Sequence, residues 1–584
     1  MTSLNANQQA AVAGGDHRCL ISCPGSGKTR TLVAKLVRCV DAVRDSTRKL
    51  GCITYTNSAV HEIERRLRKH LSSTDHECCE ISTIHSFSLN NILRPYHHLL
   101  PEFESGFEIV PPDDPSYKSL VSDLVSRHSI PPWAVPRFEG LQRYPDGRLH
   151  IPDGITQEAA EDFVQSMDES AQTTLPDIVY HSCRLIEAHQ HISRGLAARF
   201  AWLLIDEFQD TSTSQVVMLK EIARHGHTHF FFVGDPNQSI YEFSGARPEL
   251  MQDFADHVSA LDNIRLTGNY RSSSRIIAYA ERLCPCTPPM QGVGQDRDCP
   301  IEPRYIHCGS ILEAVWEHFV PALDELGIPL GDAAVLAPQW FSLLHLARDL
   351  RDREVPVIGP GARPYRRSRE FAQFAEHACA YLEDREPRTA LATHRALFIM
   401  LLNISGEKDW RVYSFEGKMT LLKLLLLAQE LREQHPHATE WLAQAGQQME
   451  AILVEDGFLP AAHSDALTHS AQEMIDDIRR NVPDAANLST EHLGLFARPS
   501  RCLRLMTMHR AKGQEFDAVA IVDLHDDKVP HFSMHGSPTA IAEARRLLYV
   551  ATTRARKLVM WCSDTSNARN EPCRFLGPDG LELL

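Results

Sequence analysis

A lysine and a threonine that follow a glycine-rich turn are the residues best suited, by type and spacing, to hold a phosphate group. Glycines let backbone N–H groups turn toward phosphate oxygens, Lys28 adds a full positive charge, and Thr29 can hold Mg²⁺. The spacing matches G-x-x-x-x-G-K-[ST], except that Ser22 stands where the first glycine is expected. The alternative is a chance glycine-rich turn. The turn itself consists of Cys23, Pro24, Gly25, Ser26 and Gly27.

Two adjacent carboxylates, Asp206 and Glu207, could supply the other half of a phosphate-cleaving site. They follow an apolar run that begins at Ala201, and adjacent acids at the end of a buried strand are costly unless a metal or solvent compensates. In an enzyme with a phosphate-binding loop, the first carboxylate can hold Mg²⁺, and the second can orient or deprotonate the attacking water. The pair therefore predicts nucleotide hydrolysis.

Strands and helices in alternation are needed to position these residues. The apolar run from Cys19 to Ile21 predicts a buried strand before the loop, and the apolar spacing from Thr29 to Val43 predicts a helix after it. A further strand is predicted from Phe230 to Asp235. Such strands, with helices between them, predict a parallel α/β sheet.

Polar and aromatic side chains stand at the ends of two further predicted strands. Tyr55, Thr56 and Asn57 follow one of them, and His85 lies in a second segment of similar type, Thr83 to Phe87. Binding of a nucleic-acid strand needs phosphate contacts combined with a stacking ring. For each segment taken alone, an ordinary strand end is the simpler interpretation.

Composition indicates a large protein without a membrane-spanning segment. The chain has 584 residues, of which 43% are hydrophobic and 23% charged, and this length suffices for several domains. Its most apolar run, Met419 to Ala428, is interrupted by Lys423, and the N-terminus lacks a signal pattern. Fifteen cysteines without a framework predict a reduced, cytoplasmic compartment.

The net charge of −16 limits how a nucleic acid could be bound. Because the global field repels phosphates, a local basic or aromatic track would have to hold the strand. A metal site built from cysteines is a weaker alternative, since the C-x-C spacing is atypical of zinc or iron–sulfur centres. Its candidate ligands are Cys284, Cys286, Cys299, His307 and Cys308.

A set of motifs along the chain resembles those of superfamily 1 helicases, most closely the UvrD/Rep-like branch. The motifs occur in the order and spacing of the two core domains of that family, whereas 95–174 and 381–498 match by position only. The segments that carry the resemblance are Leu4-Asn5 with Gln8, the Lys28 loop, Tyr55 to Asn57, Thr83 to His85, Asp206 to Asp210, Gly234 to Tyr241, Asn269 to Ser272, Thr507 to Phe516, Val529 to His531, Glu543 to Ala555 and Pro572 to Leu576.

The resemblance implies an α/β fold with two RecA-like P-loop core domains, each with a parallel sheet and a mainly helical insertion. The second insertion is short for this branch, and two of its segments, Leu421 to Leu431 and Thr439 to Leu453, have helical spacing. The expected ranges are 1–94 with 175–262 for the first core, 263–380 with 499–584 for the second core, and 95–174 and 381–498 for the insertions.

The same resemblance implies that ATP and Mg²⁺ bind between the two cores. The loop from Pro24 to Lys28 would hold the phosphates, Thr29 and Asp206 would hold Mg²⁺, and Glu207 would act on the attacking water. The other implied roles are adenine recognition by Gln8, stacking on adenine by Arg30 and Tyr270, γ-phosphate sensing by Gln238 with His509 as its partner, a ribose contact by Glu515, and arginine fingers at Arg271 and Arg554 of the second core.

Single-stranded DNA and duplex junctions are the partners that the resemblance implies. Stacking on aromatic rings tolerates any base, which suits a protein that must release every base it passes. For any one ring, packing in the core is the alternative. The candidate stacking rings are Tyr55, Tyr241 and Phe243, and the candidate strand contacts are Thr56, Asn57, His85 and His531.

Three departures from the family pattern leave the hydrolysis residues untouched. Ser58 stands in place of a frequent lysine, and Ser244 in place of an arginine for which Arg247 could substitute. Gln514 replaces a usual leucine. The two serines lower the affinity for DNA that the family pattern would lead us to expect.

We therefore expect an ATP-dependent DNA helicase or translocase that moves 3′→5′ along single-stranded DNA in repair, recombination or defence. The alternative is a DNA-stimulated ATPase subunit of a nuclease or anti-phage complex, or of a repair assembly, with weak unwinding of its own. A binding module with an inactive ATPase is a third class. The intact Lys28, Asp206, Glu207, Arg271 and Arg554 argue against it.

Overall fold

The computed structural model describes residues 4–240, 247–482, 488–532, 535–566 and 570–576. Internal contacts divide the chain into two compact units. Unit 1 comprises Met1–Cys299 with Ser537–Thr553, and unit 2 comprises Pro300–Gly536 with Arg554–Leu584. Each unit combines helices with a parallel sheet, which confirms the predicted α/β class.

Strands and helices alternate along most of the chain. The strands are β1 (Arg18–Ser22), β2 (Lys49–Thr54), β3 (Cys79–Thr83), β4 (Glu108–Ile109), β5 (Gln142–Arg143), β6 (Leu149–His150), β7 (Gln172–Thr173), β8 (Phe200–Ile205), β9 (His229–Gly234), β10 (Arg265–Leu266), β11 (Gly268–Asn269), β12 (Gln291–Gly292), β13 (Arg304–Cys308), β14 (Ala333–Ala337), β15 (Val357–Ile358), β16 (Leu503–Thr507), β17 (Phe516–Ile521) and β18 (Ala555–Asp564). The helices are α1 (Ala6–Ala13), α2 (Lys28–Cys39), α3 (Asn57–Leu67), α4 (Ser73–His76), α5 (Ile84–Ser88), α6 (Arg94–Tyr96), α7 (Pro115–His128), α8 (Gln157–Glu169), α9 (Leu175–Ala188), α10 (Gln190–Arg199), α11 (Thr213–Ala223), α12 (Glu249–His257), α13 (Ser274–Leu283), α14 (Ile311–Glu313), α15 (Val320–Leu326), α16 (Trp340–Arg351), α17 (Ala372–Glu383), α18 (Pro387–Ser405), α19 (Phe415–Gln434), α20 (Ala438–Glu455), α21 (Ala466–Asn481), α22 (Thr490–Leu495) and α23 (Pro538–Thr552).

The sheet of unit 1 has six strands in the order β10-β1-β9-β8-β2-β3, and all of its pairings are parallel. Strand β8 shows how this sheet is buried. Its Leu203 and Ile205 pack into one apolar core, and its Trp202 and Leu204 pack into another. Because successive side chains of a strand point to opposite faces, both faces of the sheet are covered. The strands predicted around the loop and the acid pair are confirmed as β1, β8 and β9.

The carboxyl ends of these parallel strands meet at one edge of the sheet. There β1 leads through the glycine-rich turn into α2, β8 leads to the acid pair, and β9 leads to Asp235. At the same edge β2 leads to Tyr55, and β3 leads into α5 with His85. In open α/β sheets ligands bind at this edge, so the strand topology by itself collects the candidate residues.

Residues 95–174 contain a small apolar core of their own. Helices α7 and α8 contribute Tyr117 and Phe163 to it, and the two rings meet edge-on with 5.7 Å between their centroids. Two short strand pairs, β4 with β7 and β5 with β6, accompany the helices. Arg143 joins this region to α9, because its guanidinium lies 2.7 Å from Asp168 and 3.0 Å from Asp177. The first insertion is therefore helical with added β-structure.

The sheet of unit 2 also has six parallel strands, in the order β13-β18-β17-β14-β16-β15. Helices α19 and α20 contain the two helical segments predicted in the second insertion. The core of these helices is continuous with the core of the sheet. Trp441 is fully buried in it and donates its indole N–H to the carbonyl of Ala428 at 3.1 Å.

Two segments that we predict in the second core domain, 263–299 and 537–553, belong to unit 1 by their contacts. Strand β10 pairs with β1, and α23 packs against α13. The strands of the second six-stranded sheet all lie in unit 2. A unit defined by contacts differs from a domain defined by its sheet, so the domain boundaries stay a prediction.

Within the described ranges, no helix has both the length and the apolar character that a bilayer crossing requires. All fifteen cysteines lie in these ranges with free thiols. None of them belongs to a cluster of three potential metal ligands among the described residues, so the structure does not support the cysteine metal site.

Candidate nucleotide-hydrolysis site and strand track

The glycine-rich turn has a backbone shape that only glycine adopts easily. Gly25 and Gly27 have φ angles of +66° and +79°, in the left-handed region that a Cβ disfavours. A Cβ on Gly25 would lie 2.7 Å from the amide oxygen of Asn269, and one on Gly27 would lie 2.9 Å from the amide nitrogen of Gln8. Neighbouring side chains therefore pack directly against the turn and leave no room for a Cβ at either glycine. A loop that binds phosphate through its backbone N–H groups needs a fixed conformation of this kind.

Ser22, the departure from the loop pattern, is accommodated because it ends a strand. It is the last residue of β1, and its backbone is not among those with positive φ. Its hydroxyl donates to the carbonyl of Gly234 at 2.9 Å. Ser22 therefore connects β1 to β9, and the mismatch does not disturb the turn.

Lys28 and Glu207 form an ion pair across the edge of the sheet. The ammonium donates to Oε2 of Glu207 at 2.7 Å, and the side chains are 10% and 26% exposed. Burial lowers the pKa of Lys28, but the carboxylates of Glu207, Asp235 and Asp206 outweigh it, so the pKa is raised overall. Lys28 is therefore charged at neutral pH and available to bind a phosphate.

Thr29 and Asp206 lie together, as the predicted Mg²⁺ ligands should. The Thr29 side chain hydrogen-bonds to Asp206, which also accepts the backbone N–H of Glu207 at 3.0 Å. Burial and the charge of Glu207 raise the pKa of Asp206 to about 7, although Lys28 opposes them. A buried carboxylate beside a hydroxyl is a hard oxygen donor set of the kind that Mg²⁺ prefers. The residues present therefore fit this ion.

Glu207 has a strained backbone. Its φ angle is +52°, which costs a residue other than glycine about 1–3 kcal/mol. Such strain persists where the surroundings impose it, most often at functional sites. Here it occurs at the residue that we expect to act on water.

Gln209 is a buried connector that is not among the predicted site residues. Its Nε2 donates to Oε2 of Glu207 at 2.7 Å, and its Oε1 accepts the backbone N–H of Asp235 at 2.9 Å. Its position two residues after Glu207, in a motif already identified, was the only signal. Gln209 therefore links the acid pair to the end of β9.

Gln238 continues this chain of contacts. Its Nε2 donates to Oδ2 of Asp235 at 2.6 Å, and both side chains are buried. Burial raises the pKa of Asp235 to about 6, with Lys28 as the main opposing influence. Hydrogen bonds thus connect Gln238 to Glu207 through Asp235 and Gln209. A γ-phosphate sensor that acts on Glu207 would need such a connection.

The residues expected to surround adenine are also in contact with the loop. Gln8 is fully buried and donates its Nε2 to the carbonyl of Ser26 at 3.0 Å. The backbone N–H of Tyr270 donates to the carbonyl of Gly25 at 2.9 Å, and the residue as a whole is 39% exposed. Arg30 lies in the first turn of α2 and is half-buried. The three therefore lie around the loop, and their adenine contacts stay predictions.

The two candidate arginine fingers lie in different units. Arg271 of unit 1 donates from Nη1 to the carbonyl of Thr553 at 3.1 Å. Arg554 of unit 2 is 2% exposed, and its Nη1 lies 3.4 Å from the carbonyl oxygen of Gln514. Their roles as fingers stay predictions.

Two further predicted residues of unit 2 are in polar or buried surroundings. Glu515 pairs with Arg556 at 2.6 Å. Burial, with the nearby charge of Lys512, lowers the pKa of His509 to about 4, so its imidazole is neutral. The ribose contact of Glu515 and the partnership of His509 with Gln238 stay predictions.

The expected strand contacts of unit 1 lie just after strands β2 and β3. Thr56 caps α3 by accepting the backbone N–H of Ala59 at 3.2 Å, and Asn57 is exposed in the first turn of that helix. Tyr55 and His85 line a cavity of about 320 Å³ together with residues of the first insertion. Burial lowers the pKa of His85. The structure therefore brings these four residues to one region of unit 1.

The other predicted strand contacts are less well defined. His531 of unit 2 packs against Phe532, with 4.4 Å between ring centroids, and Phe532 is 65% exposed. The predicted stacking rings Tyr241 and Phe243 lie outside the described residues, as does Ser244.

Comparisons with known proteins place this geometry in context. The family described as the UvrD/REP helicase N-terminal domain matches residues 4–259, and the UvrD-like helicase C-terminal domain matches residues 463–565. DNA helicase II of Salmonella typhimurium is 25% identical over 99% of this chain and 87% of its own length. The ATP-dependent DNA helicase Rep of Escherichia coli is 24% identical, with 98% and 93% covered, and UvrD1 of Mycobacterium leprae is 23% identical, with 95% and 82% covered.

Proposed function

Because this chain belongs to the UvrD/Rep-like superfamily 1 helicases, we propose that it is an ATP-dependent DNA helicase that moves 3′→5′ along single-stranded DNA. The observation that carries the proposal is the assembly of Lys28, Thr29, Asp206 and Glu207 at one edge of the unit 1 sheet. These are the groups that hydrolysis of a nucleotide triphosphate needs.

In the proposed reaction each of these side chains has a separate task. Lys28 contacts the β- and γ-phosphates together with the backbone N–H groups of the turn. Thr29 and Asp206 would hold Mg²⁺, which would supply positive charge to the phosphates. When Lys28 turns from Glu207 to the phosphates, Glu207 keeps its bond to Gln209 and is free to accept a proton from the attacking water.

Coupling of hydrolysis to movement needs residues that respond to the γ-phosphate. We assign this sensing to Gln238, since it reaches Glu207 through Asp235 and Gln209. Arg271 and Arg554 would supply positive charge to the transition state, which is worth on the order of 10³–10⁵ in rate. Of the two, Arg554 belongs to the other unit from Lys28, and a finger supplied by another domain makes turnover depend on cleft closure.

The proposed path of the strand uses the aromatic and polar residues at the sheet edge. In unit 1 these are Tyr55, Thr56, Asn57 and His85. Tyr55 lines a pocket together with Asp206 and Glu207. His531 in unit 2, together with Tyr241 and Phe243, completes the proposed set. Stacking contributes about 1–3 kcal/mol per base without regard to sequence, which a translocating protein requires.

Displacement of a labelled strand from two duplexes tests the polarity. The duplexes differ only in whether the single-stranded tail is 3′ or 5′. At low ionic strength we expect ATP-dependent displacement from the 3′-tailed duplex and little from the 5′-tailed one. A preference for the 5′ tail, or displacement without ATP, would contradict the proposal.

The alternative, an ATPase subunit of a nuclease, repair or anti-phage complex in the cytoplasm, is favoured by one feature of unit 2. The second insertion presents several large apolar side chains to solvent, among them Trp410 and Phe415. Exposed apolar patches of this kind mark interaction surfaces. A protein that unwinds only with its partner would still hydrolyse ATP when single-stranded DNA is added.

A further inference from the structure

Helix α19 of the second insertion carries a straight row of exposed apolar side chains. Phe415, Met419, Leu422 and Leu426 are between 41% and 78% exposed. Their spacing of four, three and four residues places them on one face of the helix. We call these four residues the α19 stripe.

The α19 stripe is additional to the face that holds the helix in the fold. Leu421, Leu424, Leu425, Ala428 and Leu431 are buried and belong to the core of unit 2. A surface helix normally has polar residues opposite its buried face. Since the fold already has its apolar contacts from the buried face, the stripe needs another explanation.

An aromatic cluster extends the apolar surface at the start of α19. Trp410, in the turn before the helix, is 65% exposed and stacks on Phe398 of α18 with 5.0 Å between ring centroids. Tyr413 lies 5.5 Å from the same ring. Leu391 is 66% exposed and stands seven residues before Phe398, on the same face of α18.

Exposed cations lie on the same segments as this surface. Arg388, Arg395, Lys408 and Lys418 are exposed, and in the described part of the chain none of them has an ion pair or side-chain hydrogen bond. Residues 387–426 contain six Lys and Arg against three Asp and Glu, a net charge of +3 in a chain of net charge −16. The segment is therefore net positive, although Glu407 and Glu416 are exposed in it as well. We call the four exposed cations the positive rim.

We propose that the α19 stripe is the docking site for an amphipathic helix of a partner protein whose apolar face is bordered by acidic residues. A row at four-three-four spacing is the pattern by which one helix packs lengthwise on another. The unpaired cations beside the row set the charge of the partner, because opposite charges at the edges of such a contact favour pairing.

Two other occupants fit this surface less well. DNA would use the cations, but interfaces with DNA are polar and would leave four large apolar side chains without a function. A second copy of this chain in a two-fold contact would place the same patch on both sides, so each positive rim would face another positive rim. A partner helix of opposite charge satisfies both the stripe and its rim.

Designed peptides test this inference on the full chain. The probe is a fluorescent helical peptide of about 21 residues with Leu at positions a and d and Glu at positions e and g of each heptad. Its control replaces every Glu with Lys. We measure binding by fluorescence anisotropy and expect the Glu peptide to bind. The Lys peptide should bind at least about tenfold more weakly, because its positive charges are repelled by the positive rim.

Matched variants assign the binding to the α19 stripe. The double variant Leu422→Gln with Leu426→Gln should weaken binding of the Glu peptide by at least about tenfold, whereas Gln447→Ala, an exposed change on α20, should not. Arg395→Glu with Lys418→Glu should reverse the preference toward the Lys peptide. ATPase activity without the peptide should be unchanged in all of these variants, which also shows that they fold.

Three results would overturn the inference. One is binding of the Glu peptide that the Leu422→Gln and Leu426→Gln changes leave intact. Another is loss of affinity for a 3′-tailed duplex in the same double variant, which would identify a DNA surface. The third is a dimer in sedimentation that the double variant dissociates, which would identify a second copy as the occupant.

Discussion

Single residues at the sheet edge of unit 1 form a site with more acids than bases. Asp206, Glu207 and Asp235 surround Lys28 and raise its pKa. Burial raises the pKa of Asp206 to about 7 and that of Asp235 to about 6. Perturbed ionisable groups of this kind cluster at functional sites, and an added cation would relieve their repulsion. This balance gives two predictions.

The first prediction separates nucleotide binding from hydrolysis. Lys28→Ala should abolish DNA-stimulated ATP turnover, because Lys28 is the full charge of the phosphate loop. Glu207→Gln should retain ATP binding but lower kcat by at least about 10², since an amide cannot accept the proton. Steady-state kinetics and fluorescent-nucleotide binding measure the two effects. Glu158→Gln, an exposed acid on α8, serves as the control. Near-normal turnover in Glu207→Gln would show that another group acts on water.

The second prediction concerns pH. The folded pKa of Asp206 is raised from 3.8 to about 7, so the folded state binds more protons than the unfolded state between these values. The stability of the nucleotide-free protein should therefore fall as pH rises from about 4 to about 7. Asp206→Asn removes the buried charge and should raise Tm by a few degrees at pH 8 but not at pH 4, while Mg²⁺-dependent ATPase is lost. An equal change in Tm at both pH values would contradict this assignment.

Elements of the fold explain why these residues meet. Strands β1, β8 and β9 are adjacent and parallel, so their carboxyl ends bring the loop, the acid pair and Asp235 to one edge. The turn between β1 and α2 then depends on two glycines with positive φ. Its shape is a property of the backbone, which a small change in one side chain can test.

The third prediction uses two glycines that differ in their surroundings. Gly25→Ala places a Cβ 2.7 Å from Asn269 at a φ of +66°, whereas a Cβ on Gly15 would meet nothing within 4 Å. Gly25→Ala should therefore cost about 1–2 kcal/mol in the turn and weaken ATP binding. Gly15→Ala should leave both stability and ATP affinity unchanged. Titration with a fluorescent nucleotide and thermal unfolding decide between the two outcomes. Equal ATP affinities in both variants would mean that ATP binding does not depend on the left-handed backbone conformation at Gly25.

The whole molecule carries a net charge of −16, which works against binding to DNA. Affinity for a duplex comes largely from neutralised phosphates and released counterions. With Ser58 and Ser244 in place of basic residues of the family pattern, two expected contributions to this electrostatic affinity are missing. The positive surface of residues 387–426 is an exception, and its apolar stripe suits a protein partner.

The fourth prediction follows from this charge. We expect strong stimulation of ATPase by single-stranded DNA, a steep loss of DNA binding as salt is added, and weak unwinding by the protein alone at physiological salt. The measurement is displacement of a short 3′-tailed duplex by the purified protein. Fast and processive displacement under these conditions would rule out dependence on a partner and support a stand-alone helicase.

The sequence by itself determined the chemistry and the class of fold. The Lys28 loop and the Asp206–Glu207 pair are each defined by residue types and spacing within a short segment, so both could be predicted without coordinates. The strands beside them and helices α19 and α20 could also be predicted, because hydrophobic periodicity is a property of a short segment. The β pairs of the first insertion were not predicted, since strands of two residues are too short to show a period.

The tertiary structure decided what depends on contacts between distant parts of the chain. It placed Gln209 between Glu207 and Asp235, and it placed Tyr270 and Arg271 in the same unit as Lys28. It also showed that α19 has two apolar faces, only one of which is buried. A sequence shows that a side chain is apolar, but its burial depends on which elements pack over it, and that is fixed only when the whole chain has folded.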